Sequence, residues 1–302
     1  MTTELFYETF HNCLTSLLGK KWEVLRRVYN PQRGDKVDLR GIGKNTALVL
    51  WGDEYSQVFP SDYYKAAGVI IKPYCPESWI ARGIIPMTDG AMIYMGESEE
   101  PSSCSTRLGN VFYSGNLNYR RTDVFRAVSG KSFGYPFRVS SNYPITGQYP
   151  FVHKVEAVMM HTLITKLCSK RDFSNLYPES YIVFNRGFMK GALSVEEYHR
   201  RLLNSKVAWC PAGFMTNETS RLIEAASAGC AVICGTLPKT EIYKGHPFLE
   251  ISDWRSVCRV TDMLLADSAR MDDMGQKARL WYQTHFSPVA QAERIARAIQ
   301  NR

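Results

Sequence analysis

Short apolar segments alternate with segments of helical periodicity along most of this chain, and that alternation limits the fold more than any other feature. The clearest apolar segments span residues 46–51, 69–72, 181–184 and 230–234. Each is short and rich in branched or aromatic residues. A stretch with helical spacing follows all of them except residues 69–72, after which the pattern is weak. Strands that alternate with helices usually pair in parallel, because each helix returns the chain to the same edge of the sheet. The sequence therefore predicts an α/β fold.

The strands fall into two series, one on each side of about residue 105. We predict two α/β domains, residues 1–106 and 107–285, and a C-terminal helix, residues 286–302, that packs back on the first domain. Pro288 stands where a first helical residue is expected. Apolar side chains in residues 3–28 have nearly helical spacing, broken only by Gly19, which predicts one or two amphipathic helices.

The chain is basic. It has 37 Lys and Arg residues against 29 Asp and Glu residues, for a formal net charge of +8 and a pI of about 9.0. This charge favours an anionic partner such as a nucleotide diphosphate, a nucleic acid or an acidic membrane surface. The basic residues are scattered in short clusters rather than gathered in one arm, so charge alone does not decide among these partners.

The cysteines and the first residues bear on the compartment and on metals. The chain has eight cysteines and no C-x-x-C spacing, which argues against a metal cluster, and several stand in apolar segments as reduced, buried thiols would. Residues 1–20 are too polar for a signal peptide, and no segment approaches the ~18 apolar residues of a membrane-spanning helix. We expect a cytoplasmic protein that binds no metal.

Residues 209–234 carry the most specific pattern in the sequence. An apolar strand ends at Pro211, a loop with Gly213 follows, and a helix begins near Thr219 and ends before Gly229. The free N–H groups at such a helix start attract phosphate, and Thr219, Ser220 and Arg221 add donors. Glu224 lies one turn later, where its carboxylate can accept hydrogen bonds from both hydroxyls of a ribose. The alternative is that Arg221 and Glu224 form an ordinary surface pair.

This pattern resembles the donor-nucleotide element of GT-B glycosyltransferases, in particular the exostosin-like group. The resemblance rests on Arg221-x-x-Glu224-Ala225, on the Gly229-Cys230 pair that follows, and on Pro247-Phe248 and Asp253-Trp254 further along. Upstream, residues 110–121 resemble the first strand of the family's nucleotide domain, followed by a glycine turn and a phosphate-facing arginine. The resemblance covers residues 108–285 well and the first hundred residues poorly.

The resemblance implies two Rossmann-like domains facing across a cleft and an enzyme that transfers a sugar from a nucleotide-diphosphate donor to an acceptor hydroxyl, with no further cofactor. The implied donor-binding residues are Ser114, Gly115, Arg120, Arg121, Arg186, Lys190, Gly213, Thr219, Ser220, Arg221 and Glu224. Retaining members of the related large group carry a second glutamate where this chain has Thr216. That departure favours an inverting, metal-independent enzyme.

An inverting transferase needs a general base to take the proton of the acceptor hydroxyl. Asp53 and Glu54 follow an apolar strand and would lie at the carboxyl edge of the first sheet, where open α/β sheets bind ligands. We assign the base to Asp53, with Glu54 as the competing choice and Glu77 and Asp89 in reserve. The alternative is that Gly52-Asp53 forms a turn with a capping aspartate.

Two other functions fit the same residues. A sugar-nucleotide epimerase or phosphorylase on this fold would have the same nucleotide half. A nucleic-acid-binding protein would account for the basic charge, and a transferase whose acceptor is itself a nucleic acid would combine both ideas. For a transferase, the sequence leaves open a glycan, a lipid-linked glycan or another hydroxyl acceptor. It also leaves open whether residues 3–28 contact a membrane surface.

Overall fold

The computed structural model describes residues 2–29, 31, 35–52, 56, 58–88, 90, 100–117, 119–130, 171–185, 193–213 and 216–302. The chain divides into two compact units. The first comprises Met1–Gly96, Lys239–Lys244 and Gln283–Arg302, and the second comprises Glu97–Pro238 and Gly245–Tyr282. The sequence also predicts a strand at residues 137–140 and a helix at residues 153–168, and both lie outside the described residues.

In the described part of the chain, most elements follow one another as the alternation in the sequence predicts. The helices are α1 (Thr2–Leu18), α2 (Ser61–Ala66), α3 (Glu77–Ile80), α4 (Thr122–Ser129), α5 (Val195–Leu203), α6 (Ser220–Ser227), α7 (Val257–Ala266), α8 (Ser268–Trp281) and α9 (Pro288–Gln300). The strands are β1 (Glu23–Val28), β2 (Thr46–Trp51), β3 (Val69–Pro73), β4 (Ile85–Met87), β5 (Gly109–Asn116), β6 (Arg171–Asp172), β7 (Tyr181–Asn185), β8 (Ser205–Cys210), β9 (Ala231–Cys234) and β10 (Leu249–Glu250).

The described part of the first unit is built on a parallel sheet with the strand order β1-β2-β3-β4. In this sheet Leu48 of β2 pairs with Leu25 on one side and with Ile70 on the other. The side chains of β3 are all buried, and those of β2 are buried up to its last residue. Such strands are typical of parallel sheets, whose two faces are both covered.

Helices α1 and α9 pack along each other in the first unit. Helix α1 buries Phe6, Phe10 and Leu14, and α9 buries Ile295 and Ile299. Burial of such side chains stabilises the unit by about 1.5–3 kcal/mol each before conformational entropy is counted. The helices are thus held mainly by their apolar faces.

Residues 23–28 contradict the prediction of a helix throughout 3–28. Gly19 adopts a left-handed backbone with φ of 60° just after α1, and the chain then forms strand β1. The spacing of Trp22, Leu25 and Val28 imitates a helix, but Val28 is 67% exposed and only Val24 is fully buried in the strand. Parallel pairing with β2 therefore decided the conformation here, which local periodicity does not report.

The described part of the second unit has a sheet with the strand order β10-β9-β8-β5-β7-β6, in which only β6 runs antiparallel to its neighbour. Strand β5 lies between β7 and β8. Val111, Tyr113 and Leu117 share a core with Val124 and Phe125 of α4. Each unit is thus a Rossmann-like arrangement of parallel strands and helices.

Candidate functional site

The order of the strands in the second unit marks where a ligand can bind. Strand β5 comes first in this sheet along the chain, β7 is added on one side of it and β8 on the other. At such a switch point the connections on the two sides leave in opposite directions and open a crevice at the carboxyl ends of the strands. Residues Ser114, Gly115 and Asn116 end β5 at this edge, and α6 begins after β8.

Gly115 allows an unusually close approach of polar groups to β5. A Cβ atom at this position would lie 2.9 Å from Tyr113 Oη, 3.0 Å from Arg221 Nη2 and 3.1 Å from Arg121 Nη1. Gly115 pairs with Phe184 inside the sheet, so it is a strand residue and not the glycine turn that the resemblance implies. Its role is to leave room for two guanidinium groups.

Arg121 and Arg221 reach Gly115 from different elements. Arg121 is 5% exposed, and it donates from Nε to Ala212 O at 2.7 Å and from Nη1 to Asn116 O at 2.8 Å. Arg221, in the first turn of α6, donates from Nε to Ser114 O at 2.9 Å. Carbonyl oxygens carry no net charge, so these bonds orient the guanidinium groups without neutralising them.

Acidic groups near Arg221 keep it charged. Burial lowers the pKa of its guanidinium, but the neighbouring Tyr198, Tyr113 and Glu224 outweigh burial, and the pKa is raised above its usual value. The site therefore keeps a positive charge next to Gly115 at any physiological pH.

The Arg120 side chain turns away from that of Arg121. Its Nη2 donates to Asn217 Oδ1 at 3.1 Å, and Asn217 Nδ2 in turn donates to Thr236 O at 2.6 Å, after β9. A Cβ atom at Gly235 would lie 2.9 Å from the Asn217 side chain. Asn217 thus connects Arg120 to the loop after β9 and belongs to the site, although the sequence did not identify it.

Helix α6 begins at Ser220 with Thr219 as its N-cap residue. The Thr219 side chain makes no capping bond; it is 8% exposed, and its Oγ1 has no hydrogen-bond partner among the described residues. Ser220 is also buried, and Gly213 N donates to Thr216 O at 2.8 Å in the loop before the helix. A buried hydroxyl without a partner at a helix start is available to donate a hydrogen bond to an anion that binds there.

Glu224 is 3% exposed, so the alternative of a surface pair with Arg221 is wrong. Its Oε2 accepts a hydrogen bond from Tyr198 Oη at 2.7 Å. Burial, and then the charge of Glu224, raises the pKa of Tyr198 well above its usual value, so the phenol stays protonated and donates. Tyr198, on α5, was not predicted, because nothing in the sequence shows that its hydroxyl reaches Glu224 on α6.

Four predicted site residues cannot be placed. Asp53, Glu54, Arg186 and Lys190 lie outside the described residues, as does the reserve acid Asp89. The strand before Asp53 and Glu54 is β2, with the predicted bounds. Glu77 is exposed at the start of the short helix α3.

The described residues hold no group of three or more His, Cys, Asp or Glu side chains that could bind a metal ion. None of their helices combines the length and the apolar character needed to cross a bilayer. The buried Cys210, Cys230 and Cys234 are free thiols, and burial raises the pKa of each.

The fold is similar to that of glycosyltransferases of known structure. An alpha-glucosyltransferase solved with UDP and a 13-mer DNA containing a HMU base aligns over 98% of this chain and 84% of its own, at 11% identity and a TM-score of 0.51. HepE from Anabaena, solved with UDP-glucose, aligns over 85% of this chain and 73% of its own, at 12% identity and a TM-score of 0.46. No protein-family model and no curated protein matches the sequence.

The similarity to the alpha-glucosyltransferase defines the class of the fold. The chain has the GT-B architecture of two Rossmann-like α/β domains, as the sequence predicts. At such low identity the likeness describes the fold, while function must be argued from the residues of this chain. The narrower exostosin-like assignment stays a prediction.

Proposed function

We propose that this protein transfers a sugar from a nucleotide-diphosphate donor to an acceptor hydroxyl. The observation that carries the proposal is the meeting of two guanidinium groups, from Arg121 and Arg221, at Gly115. This position is the switch point of a Rossmann-like sheet, where nucleotides bind. The unpartnered hydroxyl of Thr219 at the start of α6 adds a donor for the same phosphates.

In this proposal the donor diphosphate binds against Arg121, Arg221 and the start of α6, with Ser220 as a further donor. The pentose binds at Glu224, one helical turn further on. Tyr198 already donates to Oε2 of that carboxylate. Each carboxylate oxygen can accept two hydrogen bonds, so Glu224 can bind the pentose without losing Tyr198. Arg120 and Gly213 are also proposed to bind the donor. Arg186 and Lys190 are proposed to contact the donor phosphates from the loop after β7.

We assign the reaction an inverting course. Asp53, or Glu54 beside it, would take the proton of the acceptor hydroxyl while that oxygen attacks the anomeric carbon from the face opposite the diphosphate. The bond from the anomeric carbon to the diphosphate breaks, and Arg121 and Arg221 stabilise the charge that develops on the leaving group, so the proposal needs no metal ion. Thr216 supports this course, because the resemblance places the second glutamate of retaining enzymes at this sequence position. Its hydroxyl lies 3.4 Å from Glu218 Oε2.

Binding of UDP tests the proposal, because UDP is the nucleotide in the first of the similar structures. A ligand that binds only the folded state stabilises it by about 2.7 kcal/mol at a hundred times its Kd. We therefore expect saturating UDP to raise the Tm by several degrees, and Glu224→Ala to remove that rise. Glu196, an exposed acid on α5, supplies the matched control Glu196→Ala, which should respond like the wild type.

Measurement of turnover separates donor binding, proposed for Glu224, from base catalysis, proposed for Asp53. Asp53→Asn should keep UDP binding and lose transfer, because a base acts on the acceptor and not on the donor. If none of the common nucleoside diphosphates raises the Tm of the wild type, the proposed function is wrong.

A nucleic acid is the acceptor class that a specific observation favours. The chain carries a net charge of +8, and the alpha-glucosyltransferase with the similar fold was solved with DNA. A polyanionic acceptor would be attracted by this charge before it reached the site.

A further inference from the structure

Asn185 and Ser114 form a buried polar pair at the carboxyl edge of the second unit. Asn185 is the last residue of β7 and is 8% exposed, and Ser114 on β5 is 5% exposed. Asn185 Nδ2 donates to Ser114 Oγ at 3.3 Å. This bond sets the direction of the amide, so Asn185 Oδ1 points away from Ser114.

The pair has unused hydrogen-bonding capacity. Asn185 Oδ1 is buried and has no partner among the described residues. Ser114 Oγ accepts a hydrogen bond from Asn185 and keeps its own proton to donate. A buried acceptor without a donor is costly, and a ligand that donates to it removes the cost. The pair therefore offers an acceptor beside a donor, which is the complement of an N–H group beside a carbonyl.

The position of the pair indicates which part of the donor it meets. Ser114 lies on the same face of β5 as Phe112, since side chains alternate along a strand. The Phe112 ring contacts the Tyr198 ring at a centroid distance of 4.9 Å, and Tyr198 donates to Glu224. The pair thus lies on the face of the sheet where Glu224 is proposed to hold the pentose, which is the nucleoside side of the proposed donor.

We propose that Asn185 and Ser114 bind the base of the donor nucleotide and that this base is uracil, whose N3–H stands beside a carbonyl. Guanine, whose N1–H stands beside O6, is the competing outcome of the test. In this arrangement Asn185 Oδ1 accepts the N3–H of the base, and the Ser114 hydroxyl donates to the carbonyl oxygen beside it. The proposal rests on the proposed function, because it assumes that a nucleotide occupies this edge of the sheet. It adds Asn185 to the donor-binding residues and assigns Ser114 to the base rather than to the phosphates.

Removal of a single hydrogen-bond donor from the ligand tests the proposal. We would measure the Kd of UDP and of N3-methyl-UDP, which lacks the N–H, by calorimetry. The wild type should bind the methylated nucleotide about tenfold more weakly, the factor expected when one buried acceptor loses its partner. Asn185→Leu should bind UDP about tenfold more weakly and distinguish the two nucleotides by less than about threefold.

Asn110→Leu is the matched control, because Asn110 lies at the other end of β5 and donates to Pro178 O at 3.1 Å. It should bind and discriminate like the wild type. If the wild type binds the two nucleotides equally, the proposal is wrong. This outcome needs no variant to fold, and it leaves the proposed function standing. Loss of affinity for UDP-glucose but not for UDP in Asn185→Leu would place the pair at the sugar and also overturn it. A wild type that binds another nucleoside diphosphate but not UDP overturns the assignment of uracil and leaves the proposed function standing. A wild type that binds none of the common nucleoside diphosphates overturns both proposals.

Discussion

A methyl group on residue 115 would meet Tyr113 Oη, Arg221 Nη2 and Arg121 Nη1 at 2.9–3.1 Å. Gly115→Ala should therefore push both guanidinium groups from their positions. We expect a loss of UDP affinity of about tenfold or more and a loss of stability of about 1–3 kcal/mol, the usual cost of overpacking. Calorimetry with UDP and urea denaturation measure the two effects.

Gly43→Ala is the control for this substitution, because a Cβ atom at residue 43 would meet nothing within 4 Å and the backbone there is not left-handed. Gly43→Ala should leave both the UDP affinity and the stability unchanged. Wild-type UDP affinity in Gly115→Ala would show that the two arginines do not bind the diphosphate.

Asp272 links α8 to the segment before β5. Its carboxylate accepts from Ser105 N at 2.7 Å and from Ser105 Oγ at 2.6 Å, and these bonds lower its pKa. A lowered folded-state pKa stabilises the protein above the unfolded value of about 3.9, and this stabilisation is lost as the pH falls through the folded pKa.

Asp272→Asn should cost about 1–2 kcal/mol of unfolding free energy at pH 7, and its difference from the wild type should shrink as the pH falls below about 4. Urea denaturation at a series of pH values measures both. Asp273→Asn is the control, since Asp273 forms an exposed pair with Lys277 and should cost no more than about 0.5 kcal/mol. If the difference in unfolding free energy between Asp272→Asn and the wild type does not depend on pH, the role given to the Asp272 carboxylate is wrong.

At the scale of elements, helix α6 is held at the end opposite the site by Arg107. Its Nη2 donates to Ala228 O at 2.8 Å and to Gly229 O at 3.1 Å, and its Nη1 donates to Ser205 O at 2.8 Å. Arg107 is 4% exposed, so it satisfies carbonyls that water does not reach. Its charge also favours the C-terminal end of a helix.

Arg107→Met should destabilise the protein by about 3 kcal/mol or more, because it leaves these carbonyls buried without donors. Denaturation measures the loss. Arg255→Met is the control, since Arg255 is largely exposed and contacts Asp123 at 3.4 Å; it should cost less than about 1 kcal/mol. A similar effect of both substitutions would show that the carbonyls at the end of α6 do not need Arg107.

Elements with a strong local signal were predicted well. Strand β2 has its predicted bounds, and α6 ends before Gly229, whose φ is 62°. Ser194 and Glu197 have the sequence spacing of a capping box, and at the start of α5 Glu197 N donates to Ser194 Oγ at 3.2 Å. Strand β1 was missed because its conformation depends on pairing with β2, and the two-residue strands β6 and β10 are too short to leave a pattern.

At the scale of the whole molecule, the net charge of +8 bears on the acceptor. If the acceptor is a nucleic acid, affinity for a DNA duplex should fall steeply and linearly with the logarithm of salt concentration, because phosphate binding releases counterions. Fluorescence anisotropy at a series of salt concentrations measures the slope. Binding of dextran sulfate with the same slope, and no transfer of labelled sugar to DNA, would contradict a nucleic-acid acceptor.

The sequence by itself determined the alternation of strands and helices and the start and end of α6, because these depend on neighbours a few positions apart. It also showed which hydrogen-bond donors stand near the start of that helix. The tertiary structure decided that β5 lies between β7 and β8, and so that Gly115, Arg121 and Arg221 meet. It also decided that Tyr198 holds Glu224 and that Asn185 lies beside Ser114. These contacts join residues far apart in the chain, and only the pairing order of the strands and the packing of helices across them bring such residues together.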